Sequence, residues 1–279
     1  MSLSEVAIGP VRLHTLPQDA DWYRQRRQFE EMASGLYRLL AQEHFRNFID
    51  VGANSGMVSV FARRSAPDLR IVAIEADQRL VEIIPGNFAL NGLNEPELIH
   101  AIASAKTDAG GSFSLNPKST LDNRVAMDGW AKVSVPQIAL DDLFKDRGIE
   151  GKTFLKVDTQ GHEKHVLEGF ATTMRSRSDW IIKMEFAPMW LKSQGTDPAE
   201  LARSLSADYL VAEYPERIAY NYPAVSTLLS HTISPDQAEH FVSYVESLDR
   251  NGRGWVDLVV APRSWRPKGL RSGLKALFG

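Results

Sequence analysis

The chain has 279 residues, 43% of them hydrophobic, which is enough for one sizeable core and points to a single elaborated domain. Its 32 basic and 35 acidic side chains leave a net charge of −3, so no global field draws it to nucleic acid or to a membrane surface. It contains no cysteine, which excludes disulfides, thiol nucleophiles and zinc–thiolate sites.

The opening segment "MSLSEVAIGPVRLHTLPQDADWY" has no basic region followed by an apolar run, and no stretch of the chain reaches the roughly 18 apolar residues of a membrane span. A soluble, cytoplasmic protein is expected. From Asp19 to about Glu43, the residues Phe29, Met32, Leu36, Leu39 and Leu40 recur at helical spacing, so residues 1–44 are expected to form an N-terminal helical extension. Phe45 to Val51 then reads as a strand, Ser55 to Arg64 as a helix, and "LRIVAIE", ending at Glu75, as a strand buried on both faces. Asp77 to Leu90 reads as helix and Glu97 to Ala103 as strand, giving the alternation of a parallel sheet with helices on both faces.

Between 104 and 152 the rhythm breaks. "GGSFSL" and "AKVSVPQIAL" look extended and flank a long polar loop, the pattern of an insertion or lid. Strands resume at Thr153 to Asp158 and Trp180 to Phe186, with helices at Gly161 to Met174 and Pro198 to Leu205. Asp208 to Tyr214 and Trp255 to Ala261 close the series as an antiparallel pair, separated by a second insertion (215–254) carrying a helix from Pro235 to Leu248. The fold class is therefore α/β, with about seven main strands in a domain spanning 45–262. The basic tail 263–279 reads as a frayed or packed terminus in preference to a membrane-surface anchor.

In an open parallel sheet, ligands sit outside the carboxyl ends of the strands beside the first strand. "FIDVGANSGMVSV" (Phe48 to Val60) occupies that place. Gly52 and Gly56 permit a sharp turn into a helix whose free N–H groups face the ligand. Asn54 stands where a dinucleotide loop has its middle glycine, and Asp50 is a poor neighbour for a pyrophosphate, which weighs against a dinucleotide oxidoreductase. An acid at that strand end suits an ammonium group. Glu75, at the end of the second strand, suits the two hydroxyls of a ribose. S-adenosylmethionine carries both groups.

The segments "FIDVGANSG", "VAIEADQRLVEIIPGNFALNGL", "ALDDLF", "FLKVDTQGHEKHVLEGF" and "IIKMEF", in this order, resemble the FkbM-type family of S-adenosylmethionine-dependent methyltransferases. The resemblance runs from about Phe48 to Phe186 and implies a Rossmann-like class I methyltransferase fold. It also implies methylation of a hydroxyl on a sugar or a polyketide-type product, so the acceptor is expected to be a small molecule or a glycan. Asp50, Gly52, Asn54 and Gly56 match the donor loop, Glu75 the ribose acid and Asn91 the asparagine of the "N-G-L" segment. Ala53, Ala76 and Ala103 complete the expected donor set. The family often has an acid where Gln160 stands, which sets this chain apart at that position.

Transfer of a methyl group from a sulfonium to an alcohol is an in-line displacement that needs alignment and a base. Asp158 and Glu185, at adjacent strand ends, could share a proton and supply the base, hold a divalent cation, or only hydrogen-bond the donor and loops. No metal is assigned. His162 is a second candidate base, although the first turn of a helix is also an ordinary place for a solvated histidine. Glu163 joins the catalytic set, but also fits as an acid at a helix N-terminus. Lys156 is expected to pair with a carboxylate such as Glu185. Trp130, Trp190 and "AYNYP" (Ala219 to Pro223) are candidates to shape the acceptor pocket. A nucleoside-binding module without catalysis is the alternative from another functional class.

Overall fold

The computed structural model describes residues 2–25, 43–125, 127–214 and 231–265. Its centre is a seven-stranded sheet. Numbered along the chain, its members are β3 (Asn47–Val51), β4 (Arg70–Glu75), β5 (Glu97–His100), β10 (Thr153–Val157), β11 (Trp180–Phe186), β12 (Leu210–Tyr214) and β13 (Val256–Ala261). The order across the sheet is β12-β13-β11-β10-β3-β4-β5. From β11 through β5 every neighbouring pair is parallel, whereas β13 is antiparallel to both β11 and β12. The expected α/β sheet with an antiparallel last strand is present, and the order reverses at β3, where the glycine turn leaves the sheet.

The apolar runs explain why these strands lie inside. With side chains alternating across the sheet, Ile49, Val51, Leu155 and Val157 enter the apolar layer on one face. Phe48, Phe154 and Ile71 enter the layer on the other. The strand residues Phe48, Ile49, Leu155 and Ile182 are fully buried, as both-face coverage by helices requires. Among the described residues, those helices are α1 (Ala20–Gln25), α2 (Met57–Ser65), α3 (Gln78–Val81), α4 (Ile84–Leu90), α5 (Leu140–Asp146), α6 (Glu163–Glu168), α7 (Ala171–Ser176), α8 (Pro188–Ser193), α9 (Pro198–Asp208) and α10 (Ala238–Ser247).

Three parts of the chain depart from the sequence expectation. Residues 4–15 form a hairpin, β1 (Ser4–Ile8) and β2 (Val11–Thr15), where a helical extension was expected. Gly9, at φ 54°, and Pro10 make the two-residue turn, and Val6, Ile8, Val11 and Leu13 are buried against the main body. The helix expected from Asp19 begins at Ala20, and its stretch from 26 to 42 lies outside the described residues. Second, the strand expected from Glu97 to Ala103 breaks at Ala101. Glu97–His100 pairs with β4, while β6 (Ile102–Ala103) joins β7 (Asp108–Leu115), β8 (Arg124–Val125) and β9 (Ala131–Ile138) in a separate four-stranded sheet. Third, two expected helices are each broken in two, at Glu82 and Ile83 and again at Gly169 and Phe170.

"AYNYP" and nearly all of the basic tail lie outside the described residues. Among the described residues, no helix is long and apolar enough to cross a membrane.

Candidate active site

A cavity of about 500 Å³ opens at the carboxyl ends of β3, β4, β10 and β11. That volume falls in the usual range for cofactor and small-molecule sites. Of the expected donor residues, Gly52, Ala53, Asn54, Glu75, Ala76 and Ala103 line it; of the expected catalytic residues, Asp158, His162 and Glu185 do.

The turn after β3 is built from backbone that few residues tolerate. Gly52 and Gly56 have φ of 74° and 77°, and Asn54 has φ 52°, a conformation that asparagine accepts more readily than most residues. Asn54 is also the clasp of the turn. Its N–H donates to Glu75 Oε2 at 2.7 Å, its Oδ1 accepts from Ser55 N–H at 2.8 Å and from the Tyr23 hydroxyl at 2.9 Å, and its Nδ2 reaches the Thr120 carbonyl at 3.4 Å. Glu75 is 6% exposed and also accepts from the N–H groups of Ala76 and Asp77, at 2.8 Å each. Burial nevertheless pushes its carboxyl up to about 7, against those three backbone donors.

Asp50 contributes from behind the cavity wall. It is fully buried, accepts from Ser59 Oγ at 2.7 Å and faces Lys156 Nζ at 3.4 Å. Gly56 precedes α2, where a Cβ would lie 3.3 Å from the Ile84 side chain, and it does not line the cavity. Asn91 is a correction. Its side chain accepts from Arg12 N–H and donates to the carbonyls of Arg12 and Asn87, so it docks the N-terminal hairpin onto α4 and lies away from the cavity. An exposed strand edge with unpaired backbone groups captures it there.

Across the cavity the acids are arranged around Gln160, itself held at φ 55°. Its Nε2 donates to Asp158 Oδ1 at 3.0 Å and to Glu185 Oε2 at 3.2 Å. Lys156 does not pair with Glu185 as expected. In parallel register it sits opposite Asp50, and its Nζ lies 3.4 Å from Asp50 Oδ1 and 3.4 Å from Asp158 Oδ2 while donating to the Gly52 carbonyl at 2.8 Å. Burial opposes its charge, but Asp158 and Asp50 outweigh that and hold its pKa above the ordinary lysine value. Among the described residues no cation forms an ion pair with Glu185. Burial, and then the charges of Asp158, Glu163 and Asp257, push its carboxyl well above the usual range.

Glu163 takes the structural alternative: it is buried, does not line the cavity, and turns back to accept from Thr159 N–H, Thr159 Oγ1 and Gly161 N–H. His162 is 7% exposed, with Nε2 3.3 Å from Ser104 Oγ and Nδ1 buried without a hydrogen-bond partner. Burial, with His165 beside it, lowers its pKa to about 4, so the ring is neutral near pH 7. Among the described residues no group of three histidine, aspartate or glutamate side chains converges as a metal-binding cluster.

Sequence reasoning missed several lining residues. Lys183 on β11 pairs with Asp257 on β13, and both face the cavity. Each is a charge inside an apolar strand ("WIIKMEF", "WVDLVVA"), a pattern that signals a mutual partner across a sheet. Tyr23 and Trp22 bring α1 to the cavity wall, and Phe113, Asn123 and Val125 bring the second sheet. The aromatic candidates divide. Trp190 lines the cavity, whereas Trp130 stands behind it with Arg124 between the two rings, its guanidinium carbon 3.8 Å from the centre of Trp190 and 5.6 Å from that of Trp130.

The strand order, with one antiparallel strand inserted beside the last, and a glycine turn facing a cavity at the order reversal, define a Rossmann-like class I methyltransferase domain. Residues 50–211, more than half of the chain, match the Methyltransferase FkbM domain, and the chain belongs to this family of S-adenosylmethionine-dependent methyltransferases. It is 27% identical over 154 residues to methyltransferase sdnD of Sordaria araneosa, an alignment that covers 43% of this chain and 59% of that protein. The chain thus spans less than two thirds of that relative's length. Among solved structures, it is similar to the plantazolicin methyltransferase BamL in complex with a triazolic desmethylPZN analog and SAH (10% identity, 88% of each chain, TM-score 0.46). It is also similar to StiE O-MT residues 961–1257 (12% identity, 90% of this chain and 79% of that one, TM-score 0.45).

Proposed function

We propose that this protein is an S-adenosylmethionine-dependent O-methyltransferase acting on a hydroxyl of a saccharide or a glycosylated intermediate. The observation that supports this reading best is the continuity of one cavity from Glu75 and the Asn54 turn to the acids Asp158 and Glu185. A nucleoside-binding module would need only the first half.

The residues present fit the donor. Glu75 offers a buried carboxylate edge to ribose hydroxyls, Ala76 and Ala103 leave room for a flat base, and the Gly52–Ala53–Asn54 turn meets the amino-acid end, with Asp50 behind it. When bound, the donor supplies an electrophilic methyl carbon on a sulfonium. Glu185 takes the proton of the acceptor hydroxyl. Its confinement beside Asp158 raises its affinity for that proton, and a base of this kind is worth about 10²- to 10⁴-fold in rate. Gln160 positions Asp158 and Glu185 relative to each other, and neutral His162 borders the same space. Trp190 presents an indole suited to the apolar face of a sugar ring.

The test has two stages. Calorimetry is expected to show S-adenosylmethionine and S-adenosylhomocysteine binding with no comparable NAD binding; the reverse result would overturn the reading. Methyl transfer from labelled donor is then followed with a panel of glycans and hydroxylated polyketide-type compounds. Transfer to the second group alone would replace the saccharide assignment, and binding without any transfer would favour the non-catalytic module.

A further inference from the structure

We infer that the acceptor carries an anionic substituent, a carboxylate or a phosphate, which Arg253 binds at the cavity rim while Trp255 covers the adjoining ring or apolar face. This rests on the methyl-transfer reading and adds a chemical class to its acceptor.

Because β13 runs antiparallel to β11, it is the start of β13 that meets the carboxyl rim. Val256 lies opposite Phe186 and Asp257 opposite Glu185, so Trp255 and Arg253 continue past the end of β11, and both line the cavity. Neither is buried; Trp255 is 40% exposed. An indole at the mouth of a cavity offers a flat apolar face that a ring or apolar edge of a ligand can cover.

Their position is fixed by the residue between them. A Cβ on Gly254 would lie 1.7 Å from the Val245 carbonyl oxygen on α10, so the backbone here is pressed onto that helix. Asp249 Oδ1 further accepts from the Arg253 N–H at 3.4 Å. The two side chains therefore project from an anchored segment.

Charge balance separates Arg253 from the other cations of the cavity. Lys156 is shared by Asp50 and Asp158, and Lys183 is paired with Asp257. Among the described residues no carboxylate forms an ion pair with Arg253. A planar guanidinium matches a carboxylate or a phosphate in two-pronged geometry.

The experiment uses the full chain saturated with S-adenosylhomocysteine and two matched probe pairs, D-glucuronate with D-glucuronamide and D-glucose 6-phosphate with D-glucose. Dissociation constants are read by calorimetry or ligand-observed NMR at low ionic strength. In at least one pair the anion is expected to bind about tenfold tighter than its neutral partner, and which pair shows the preference tells carboxylate from phosphate. The preference should shrink with added salt. Arg253→Gln should bring the ratio near one, Arg253→Lys should keep part of it, and Arg253→Glu should favour the neutral member. Equal affinities within both pairs, no probe binding at all, or a preference that persists in Arg253→Gln would each overturn the proposal. Failure of S-adenosylhomocysteine itself to bind would overturn the methyl-transfer reading beneath it.

Discussion

Gly52 and Asp158 are in direct contact: a Cβ on Gly52 would lie 2.0 Å from the carbonyl oxygen of Asp158. The turn expected to hold the donor and the strand end that carries the acceptor-side acid are therefore one packed unit. Glycine is required at 52 by this contact as well as by its φ of 74°. Gly52→Ala should cost about 2–4 kcal/mol of stability and weaken S-adenosylhomocysteine binding. Gly92→Ala isolates the dihedral component, because Gly92 has φ 66° with nothing within 4 Å of its Cβ position; it should cost only about 1–2 kcal/mol. Urea denaturation of both variants checks the difference, and equal losses would remove the contact from the explanation.

Glu75 makes the donor-free protein sensitive to pH. Its pKa is raised from 4.5 in the unfolded chain to about 7 in the fold, so the native state holds the proton more tightly. Its contribution is fully present below pH 4.5 and is lost as pH rises toward 7, by up to about 3 kcal/mol at 1.36 kcal/mol per unit. Glu75→Gln should flatten that part of the stability profile, measured by denaturation between pH 4.5 and 8. Donor affinity should run the opposite way. Ribose hydroxyls donate to the ionised carboxylate, so binding should tighten as pH passes through about 7 and lose this dependence in Glu75→Gln.

Lys156→Met removes the cation between two acids and leaves Asp50, fully buried, with the Ser59 hydroxyl as its one side-chain partner among the described residues. A loss of about 3–5 kcal/mol is expected. The paired variant Asp50→Asn with Lys156→Met should recover much of it, a coupling that a double-mutant cycle reads directly.

Glu185→Gln should lower kcat by about 10²- to 10⁴-fold while calorimetry still registers the donor. In the unsubstituted protein, burial beside Asp158 keeps Glu185 protonated into a higher pH range than an ordinary glutamate, so kcat should rise as pH increases through its ionisation. A pH–rate profile with the same rising limb in Glu185→Gln would assign the proton transfer to another group, with His162 and Asp158 the next to substitute.

The central sheet was legible because continuous apolar runs such as "RIVAIE" admit few other environments, and the glycine turn because positive φ narrows the residue choice. What the chain could not announce was where flexible polar side chains point. Asn91 and Glu163 lie at a helix end and a helix start, yet Asn91 turns to the backbone of the distant Arg12 and Glu163 to the nearby Thr159 N–H, and neither faces the cavity. Lys156 was recognised as a buried charge needing a carboxylate. Its partner is set by the register of β10 on β3, which places it opposite Asp50, and register is a tertiary quantity. The N-terminal hairpin carried a visible signal, alternating residues on either side of Gly9 and Pro10, that the helical periodicity further on overshadowed.

Asp19 is buried and spends its carboxylate on Ser119 Oγ, Thr120 N–H and Thr120 Oγ1, across a separation of up to 101 residues. With Tyr23 hydrogen-bonded to Asn54, it fastens the N-terminal segment and the second sheet to each other above the same turn. Two stretches distant in the chain thereby share one opening equilibrium. In Asp19→Ala, amides of β2 and of β7 to β9 should lose hydrogen-exchange protection together while those of β3 and β10 keep theirs. The same variant is expected to shorten the residence time of bound S-adenosylhomocysteine, read by stopped-flow displacement, since Tyr23 and Asn54 meet at the donor turn.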